Sequence, residues 1–257
     1  GSSIFFDGTN DYLQVADTGR GNDFNIWAAE SVDSSVEAWC YFLSNPGTTS
    51  QTIASTWPVG SPATAWEFRT DGLSLNMSVT NSGTTLLEVA GNKHGMSAGR
   101  WHHCAFTKNG NLGTVLVDGV PIDSGTGSVY ATVGFDDTLD IGRRAHHNDI
   151  YFHGYMDEIR ISTGIARYSK SIERFANTVV AKGDTADAFT TFQIQSNGAK
   201  NGTGFSDGLN RTGYNTTAVV IGGNPVWRNT VGDGFGGANT ALYLGSESDF
   251  ISFTDSS

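Results

Sequence analysis

Apolar and polar residues alternate along much of the chain, and this period of two is typical of half-buried β-strands. The clearest run puts four apolar side chains on one face: Val36, Ala38, Cys40 and Phe42. The alternation predicts strands at residues 34–43, 51–57, 65–70, 73–80, 84–90, 101–108 and 113–117. Residues 109–111, Asn-Gly-Asn, form a strong turn signal, so the last two strands are predicted to form a hairpin.

Residues 139–168 contain the sharpest pattern in the chain. Leu139 and Ile141 alternate with polar neighbours as far as Gly142, and a second alternating run covers residues 151–161. Between them lies a polar loop that contains two arginines and two histidines. The pattern predicts two antiparallel strands joined by a basic, His-rich loop.

Strict alternation in the second of these strands puts Asp157 on the same face as Ile159 and Ile161. Met156, Glu158 and Arg160 are then expected on the opposite face. A carboxylate among isoleucines must be hydrogen-bonded or bound to a metal, because an unpaired buried charge is costly. We therefore predict that Asp157 is a structural acid that binds backbone N–H groups, with a metal or catalytic role as the alternative.

Three segments together resemble a known family. They are GYMDEIRI at 154–161 followed by GIARY at 164–168, VEAWCYF at 36–42, and WHHCAF at 101–106 followed by VLVDG at 115–119. In order and spacing they are similar to the laminin-G-like domains of the concanavalin A-like jelly-roll superfamily. The resemblance covers roughly residues 1–170 and implies an all-β fold, an antiparallel jelly-roll β-sandwich.

The two ends of the chain resemble each other. Residues 3–17 align without a gap on residues 241–255, which suggests the same hairpin at both ends and a tandem array. Residues 189–220 contain strand patterns of their own, and residues 169–181 are the one helix-like stretch. We predict a laminin-G-like domain at 1–185, followed at 186–257 either by the start of a second related module or by strands that complete the first sandwich.

Composition narrows the function. The chain of 257 residues has 33 glycines, as expected of many short strands and tight turns, and its net charge is -11. Such an acidic chain is a poor candidate for nucleic-acid binding, which needs clustered positive charge. Neither an apolar run of about 18 residues nor a basic-then-apolar leader is present, so no membrane insertion is expected. Cys40 and Cys104 lie in apolar strand patterns and are expected to be buried free thiols, with a disulfide as the alternative.

Enzyme motifs are missing. A glycoside hydrolase needs two carboxylates about 5–10 Å apart, and the E-x-D-x-x-E run of the glucanases that share this sandwich is absent. His102 and Cys104 share a strand face and could activate a thiolate, but a packed core strand explains them better. We therefore predict that the chain is not an enzyme and has no catalytic residues.

Several polar and aromatic residues are candidates for ligand binding. The loop after Gly142 could contact sugar hydroxyls or carboxylates, could hold a transition metal, or could be a solvated hairpin tip. Trp57 and Trp66 flank residues 58–64, where their rings could stack on a sugar or pack in the core. The predicted ligand-binding residues are Trp57, Trp66, Arg143, Arg144, His146, His147, Asn148 and Tyr151.

Calcium is implied only by the resemblance, because several laminin-G-like domains hold one Ca²⁺ at the rim of the sandwich. Acidic turns that could supply oxygen ligands occur at residues 7–11 and 134–137. The predicted metal ligands are Asp136, Asp137 and Asp149.

The function expected from these features is non-catalytic recognition of a glycan or a cell-surface receptor. The resemblance implies a module of a larger extracellular or virion-surface protein, similar to those of phage tail fibres and bacterial surface proteins, with sister subunits or neighbouring modules as further partners. A purely structural spacer or a decoration module of a capsid or fibre is the main alternative.

Overall fold

The computed structural model describes residues 3–15, 24–57, 64–72, 74–92, 95–130, 138–144, 150–168 and 187–194, and the backbone of four later strands. This part of the chain contains strands and no helix; in particular, it has no helix long and apolar enough to cross a membrane. The strands are β1 (Ser3–Asp7), β2 (Tyr12–Val15), β3 (Ser34–Phe42), β4 (Gln51–Ser55), β5 (Ala65–Asp71), β6 (Ser74–Asn81), β7 (Thr84–Asn92), β8 (Trp101–Asn109), β9 (Leu112–Val117), β10 (Val120–Thr126), β11 (Leu139–Ile141), β12 (His153–Thr163), β13 (Thr190–Ile194), β14 (Val219–Gly222), β15 (Val226–Arg228), β16 (Asn239–Tyr243) and β17 (Phe250–Thr254).

Two antiparallel sheets form a sandwich, which confirms the predicted fold class. The eight-stranded sheet has the order β10-β9-β8-β3-β12-β1-β15, and β13 also pairs with β12. The seven-stranded sheet has the order β14-β2-β11-β4-β5-β6-β7. The predicted hairpin around residues 109–111 is confirmed, since β8 pairs with β9 and Gly110 has the positive φ of 61° that such a turn requires.

The core lies between the two sheets. As predicted, Val36, Ala38, Cys40 and Phe42 all face it. Both cysteines are free and buried, and Cys104 Sγ lies 3.4 Å from the sulfur of Met96. Burial raises the pKa of the Cys104 thiol, so it behaves as an apolar side chain and not as a nucleophile.

The predicted pairing of residues 139–141 with 151–161 is wrong. β11 belongs to the seven-stranded sheet and β12 to the eight-stranded sheet, and a single bridge between Arg143 and Tyr151 joins the two segments. The two N-terminal strands, expected as a hairpin, also lie in different sheets. Alternation shows which residues share a face of one strand, but a chain that crosses between the sheets keeps the same alternation.

The predicted faces of β12 are confirmed for Ile159, Arg160 and Ile161 but are wrong for Met156 and Asp157, because a β-bulge interrupts the alternation at Glu158, which has a φ of 48°. Met156 therefore faces the core together with Ile159 and Ile161. Asp157 lies opposite Trp39 on the outer face of the sheet, where its Oδ1 accepts the N–H of Glu158 at 2.7 Å. The carboxylate thus binds a backbone N–H group, but away from the isoleucines.

The strands after residue 186 extend the sheets of the sandwich. β13 pairs with the second half of β12, β14 pairs with β2, and β15 pairs with β1. β16 and β17 pair with each other in a separate two-stranded sheet. The division at residue 185 and the second module stay predictions, and the helix-like stretch at 169–181 lies outside the described residues.

A buried ionic network lies on the outer face of the eight-stranded sheet. The carboxylate of Glu37, 1% exposed, accepts hydrogen bonds from His103 Nε2 at 3.0 Å, from Arg160 Nε at 2.6 Å and from the hydroxyl of Tyr168. Burial raises the pKa of Glu37, but the hydrogen bond from His103 and the charge of Arg160 outweigh burial and lower it to about 2. The network joins β3, β8 and β12 to the segment that follows β12.

Candidate functional site

The outer face of the seven-stranded sheet carries a continuous row of polar side chains. Each sits at an alternate position whose neighbours face the core, and the register places the side chains opposite one another across six adjacent strands. In order, they are Gln14, Asp140, Ser55, Glu67, Ser78 and Glu88. The side chains in the middle of the row are buried, and those at its ends are accessible. The face is therefore a polar surface whose central side chains are held in place.

Asp140 is the most unusual member of this row, because its side chain is buried and only one of its two carboxylate oxygens accepts hydrogen bonds. Its Oδ1 accepts hydrogen bonds from Gln14 Nε2 at 3.1 Å and from Arg143 Nε and Nη2 at 3.2 and 3.1 Å. Its Oδ2 has no hydrogen-bond partner, although the residue is 1% exposed. Burial raises the pKa of Asp140 to about 6, against the opposing effect of Arg143.

This raised pKa predicts a pH dependence of stability. The folded state favours protonated Asp140, so its contribution is fully present below about pH 3.8 and is lost as the pH rises through about 6. This rise in the pKa of Asp140 corresponds to a change of at most about 3 kcal/mol in the free energy of unfolding. Urea unfolding between pH 4 and 7 should therefore show a component that falls with pH in the parent chain and is missing in Asp140→Asn. An unchanged profile in the variant would contradict the assignment.

Arg143 links the row to an aromatic ring. Its guanidinium carbon lies 3.3 Å from the centre of the Tyr12 ring, which is a stacked cation–π contact. Its backbone carbonyl accepts the hydroxyl of Ser55 at 3.1 Å, which fixes the segment over β4. Tyr151 approaches the same guanidinium, and burial raises the pKa of Tyr151 although Arg143 lowers it. Tyr12, Arg143 and Tyr151 thus form a partly exposed platform beside Asp140.

A second ionic group lies further along the face, around the buried carboxylate of Glu67. Glu67 accepts hydrogen bonds from Thr52 Oγ1 at 2.9 Å, from Arg69 Nη1 at 2.8 Å and from Arg144 Nη1 at 3.4 Å. Arg69 also donates to Asp71 at 2.8 Å, which is the main reason that the pKa of Asp71 is lowered. Each arginine of this group is therefore held by a carboxylate.

The structure brings together three of the residues predicted to bind a ligand: Arg143, Arg144 and Tyr151. Trp57 is partly buried just after β4. Trp66 is fully buried in the core, and its Nε1 donates to the carbonyl of Phe24 at 2.8 Å, so the prediction that its ring stacks on a ligand is not supported. Three further predicted residues lie outside the described part of the chain: His146, His147 and Asn148.

Sequence reasoning missed most of the face. Tyr12, Gln14, Asp140, Glu67 and Arg69 occupy alternate strand positions, where polar residues normally mark a solvated surface. The one available signal was the density of charged residues in β5, which the alternation alone does not distinguish from an ordinary exposed face.

The predicted metal ligands Asp136, Asp137 and Asp149 lie outside the described residues. Within the described ranges, no group of three or more acidic, His or Cys side chains could hold a metal ion. The acidic loop after β1 binds its own backbone: Asp7 Oδ1 accepts the N–H groups of Thr9 and Asn10 at 2.8 and 3.0 Å, and Asp11 Oδ2 accepts that of Asp7 at 2.9 Å. These oxygens stabilise the turn, and the calcium site stays a prediction.

The sheet order, the enclosed core and the polar outer face define a jelly-roll β-sandwich. A sequence model of the Laminin_G_3 family, described as the Concanavalin A-like lectin/glucanases superfamily, matches residues 7–170, and the chain belongs to this family. No functionally curated protein shows significant sequence similarity to it.

Several solved structures are similar to this chain at low sequence identity. One is a protein from Bacteroides ovatus ATCC 8483 that is provisionally described as carbohydrate binding. It is 18% identical with a TM-score of 0.53, and the match covers 84% of this chain and 60% of that protein's chain. Domains LG4-5 of the mouse laminin alpha1 chain are 14% identical with a TM-score of 0.48, and the match covers 63% of this chain and 41% of the laminin structure. The Ruminococcus gnavus IT-sialidase CBM40 bound to alpha2,3 sialyllactose is 10% identical with a TM-score of 0.45, and the match covers 63% of this chain and 89% of the CBM40 chain. The chain therefore spans less than two thirds of the length of the first two structures.

Proposed function

We propose that this chain is a non-catalytic module that binds a glycan through the outer face of the seven-stranded sheet. The observation that carries the proposal is the partly exposed platform of Tyr12, Arg143 and Tyr151, in which the buried carboxylate of Asp140 holds Arg143 in place. Carbohydrate sites combine a flat ring surface with a few fixed polar groups that orient the hydroxyls. The membership of a superfamily that contains lectins agrees with this reading.

The geometry suits recognition by preformed groups. Gln14 and Arg143 are held by Asp140, and Arg144 by Glu67, so these side chains lose little freedom when a ligand binds. Tyr12 is partly exposed with Arg143 over one face of its ring, so the accessible part of the ring can contact the apolar face of a sugar. A rigid sheet with polar groups at fixed spacing can match hydroxyl groups along a saccharide.

A hydrolytic reaction is a weaker fit to the same residues. Asp140 has the raised pKa of an acid catalyst, but its side chain is buried and its unpartnered Oδ2 is not accessible to a substrate. Glu67 is fully buried beneath two arginines and is not placed to contact a substrate. We therefore expect binding without cleavage of the ligand.

The wider context follows from the same proposal. A glycan-binding or receptor-binding module acts best in a larger extracellular or virion-surface protein, where repeated modules or sister subunits supply avidity. Any calcium requirement would belong to the acidic residues at 136, 137 and 149. A structural spacer is the alternative if the face binds no saccharide.

The test is a glycan array probed with the whole chain, with Ca²⁺ and again with EDTA. Tyr12→Ala should weaken binding at least about tenfold, because it removes both the aromatic contact with the sugar and the cation–π contact that positions Arg143. Phe189→Ala is the matched control, since Phe189 is an exposed aromatic residue, 45% accessible, outside this face. Circular dichroism melting would verify that both variants fold.

Saturable binding that Tyr12→Ala removes and Phe189→Ala preserves is the expected result, and release of reducing sugar is not expected. Binding lost in EDTA would add a metal to the proposal. A folded parent chain that binds no glycan in either condition would overturn the proposal in favour of the structural spacer.

A further inference from the structure

Another partly exposed tyrosine lies at the opposite end of the sandwich from the platform of Tyr12. Tyr130 follows β10, and its ring is stacked on the buried ring of Trp27, with 5.9 Å between the ring centroids and 24° between the ring planes. The Nζ of Lys108, in β8, lies 5.2 Å from the centre of the Trp27 ring and 5.5 Å from that of the Tyr130 ring. This end therefore repeats the arrangement in which Arg143 lies over the ring of Tyr12.

The residues behind Tyr130 are held in place by hydrogen bonds. Lys108 Nζ donates to two backbone carbonyls of the loop before β3, at 2.7 and 2.6 Å, and so fixes that loop. Trp27 Nε1 donates to the backbone carbonyl of Val129 at 2.9 Å, so the residue next to Tyr130 is tied to the ring on which Tyr130 stacks. Because these contacts exist without a ligand, the Tyr130 ring has little freedom left to lose when a ligand binds.

The groups around Tyr130 are accessible to a ligand. Val129 is 56% exposed, and Glu30, in the loop before β3, is also exposed. Desolvation and the negative charge of Glu30 raise the pKa of the Tyr130 hydroxyl, so the carboxylate lies within electrostatic reach of the polar end of the ring. The accessible part of the ring can therefore contact the apolar face of a sugar, while the carboxylate of Glu30 accepts hydrogen bonds from the sugar hydroxyls.

The register of the eight-stranded sheet separates this end from the first platform. Lys108 pairs with Ser34 at the start of β3. The strand that follows Tyr151 pairs with the end of β3, since Gly154 lies opposite Phe42. The nine residues of β3 place these two positions about 26 Å apart along the strand, at about 3.3 Å per residue. The two tyrosine platforms are therefore separate surfaces.

We propose that Tyr130 and Glu30, supported by Trp27 and Lys108, form a second saccharide-binding site in which the apolar face of a sugar ring stacks on Tyr130. This inference rests on the proposed glycan-binding function and adds a site to it. The second site is the weaker one, because it offers one ring and one carboxylate, whereas the first adds guanidinium groups and a second tyrosine. A chain with sites at opposite ends can join two glycan chains.

The test is the glycan array probed with Tyr12→Ala, at chain concentrations above those that saturate the parent chain. This variant should keep weak binding, which the double variant Tyr12→Ala/Tyr130→Ala should lower about threefold or more. The control is Tyr12→Ala/Phe189→Ala, because Phe189 is an exposed aromatic residue beside β13 that belongs to neither site, and it should bind like Tyr12→Ala. Equal binding by the two double variants, including no binding by either, would overturn this inference and leave the glycan-binding function standing. A folded parent chain that binds no glycan would overturn both.

Two further substitutions at Tyr130 separate contact with the sugar from packing on Trp27. In the Tyr12→Ala background, Tyr130→Phe keeps a flat ring and should keep the residual binding. Tyr130→Leu still covers Trp27 but has no ring, so it should lose the binding as Tyr130→Ala does. Circular dichroism melting would verify that each chain folds. Residual binding that survives in Tyr130→Leu would show that no sugar stacks on this residue and would overturn the proposal.

Discussion

Replacement of Glu37 by alanine is expected to lower the free energy of unfolding by about 3–5 kcal/mol, because it removes the carboxylate that binds a buried arginine. Glu37 is 1% exposed and is the common partner of Arg160, His103 and Tyr168. Without it, the guanidinium of Arg160, with a side-chain exposure of 6%, keeps its charge in a place that water hardly reaches. Urea unfolding at neutral pH measures the loss.

The pH dependence provides a second check on Glu37. Its folded pKa of about 2 lies below the ordinary value of 4.5, so its stabilisation is present above about pH 4.5 and is lost as the pH falls through about 2. This acid-sensitive component should be absent in Glu37→Ala. Glu30→Ala is the control, since Glu30 is exposed and should change the stability by less than about 0.5 kcal/mol. A loss in Glu37→Ala no larger than in Glu30→Ala would show that the network is not coupled to folding.

The second large effect is expected from Gly154→Ala, with a loss of at least about 3 kcal/mol. Gly154 lies in β12 between β1 and β3, and its φ is 152°. A methyl group there would lie 2.0 Å from the backbone oxygen of Tyr41, and backbone cannot move aside as a flexible side chain can. Thermal and urea unfolding should both show the loss, provided that the variant folds at all.

The matched control is Gly110→Ala in the turn between β8 and β9. Gly110 also has a positive φ, 61°, but nothing lies within 4 Å of the position that a methyl group would take. The cost should therefore be conformational alone, about 1 kcal/mol. Similar losses in the two variants would mean that β12 can separate from β3 more easily than the contact with Tyr41 indicates.

Much of the fold was predictable from the sequence, because burial of one sheet face imposes a period of two on each strand. This rule located β3 and the β8–β9 hairpin, and the family resemblance implied the jelly-roll sandwich. It failed at β12, where the bulge at Glu158 adds one residue and reverses the faces of Asp157 and Met156. A glutamate carries no local signal for a left-handed backbone, so the bulge was not predictable from residue type.

The partners of the strands were less predictable than the strands themselves. The run from β11 to β12 looks like a hairpin because hairpins and crossings between sheets have the same alternation. Arg143 and Tyr151 could be named as candidates because they stand in a polar loop. Asp140 was missed because its importance comes from the strands beside it: Gln14 lies in β2 and Ser55 in β4, and both are more than 80 positions away along the chain.

The pairing of β14 and β15 has a consequence for how the chain behaves at high concentration. Without these two strands, β2 and β1 would each stand at the border of a sheet, with a row of backbone N–H and C=O groups open to another molecule. With them, β14 and β15 are themselves the outermost strands, so a strand from another copy would pair with β14 or β15 and not with β2 or β1. The strands that lengthen the sandwich therefore move its borders from β1 and β2 to β15 and β14.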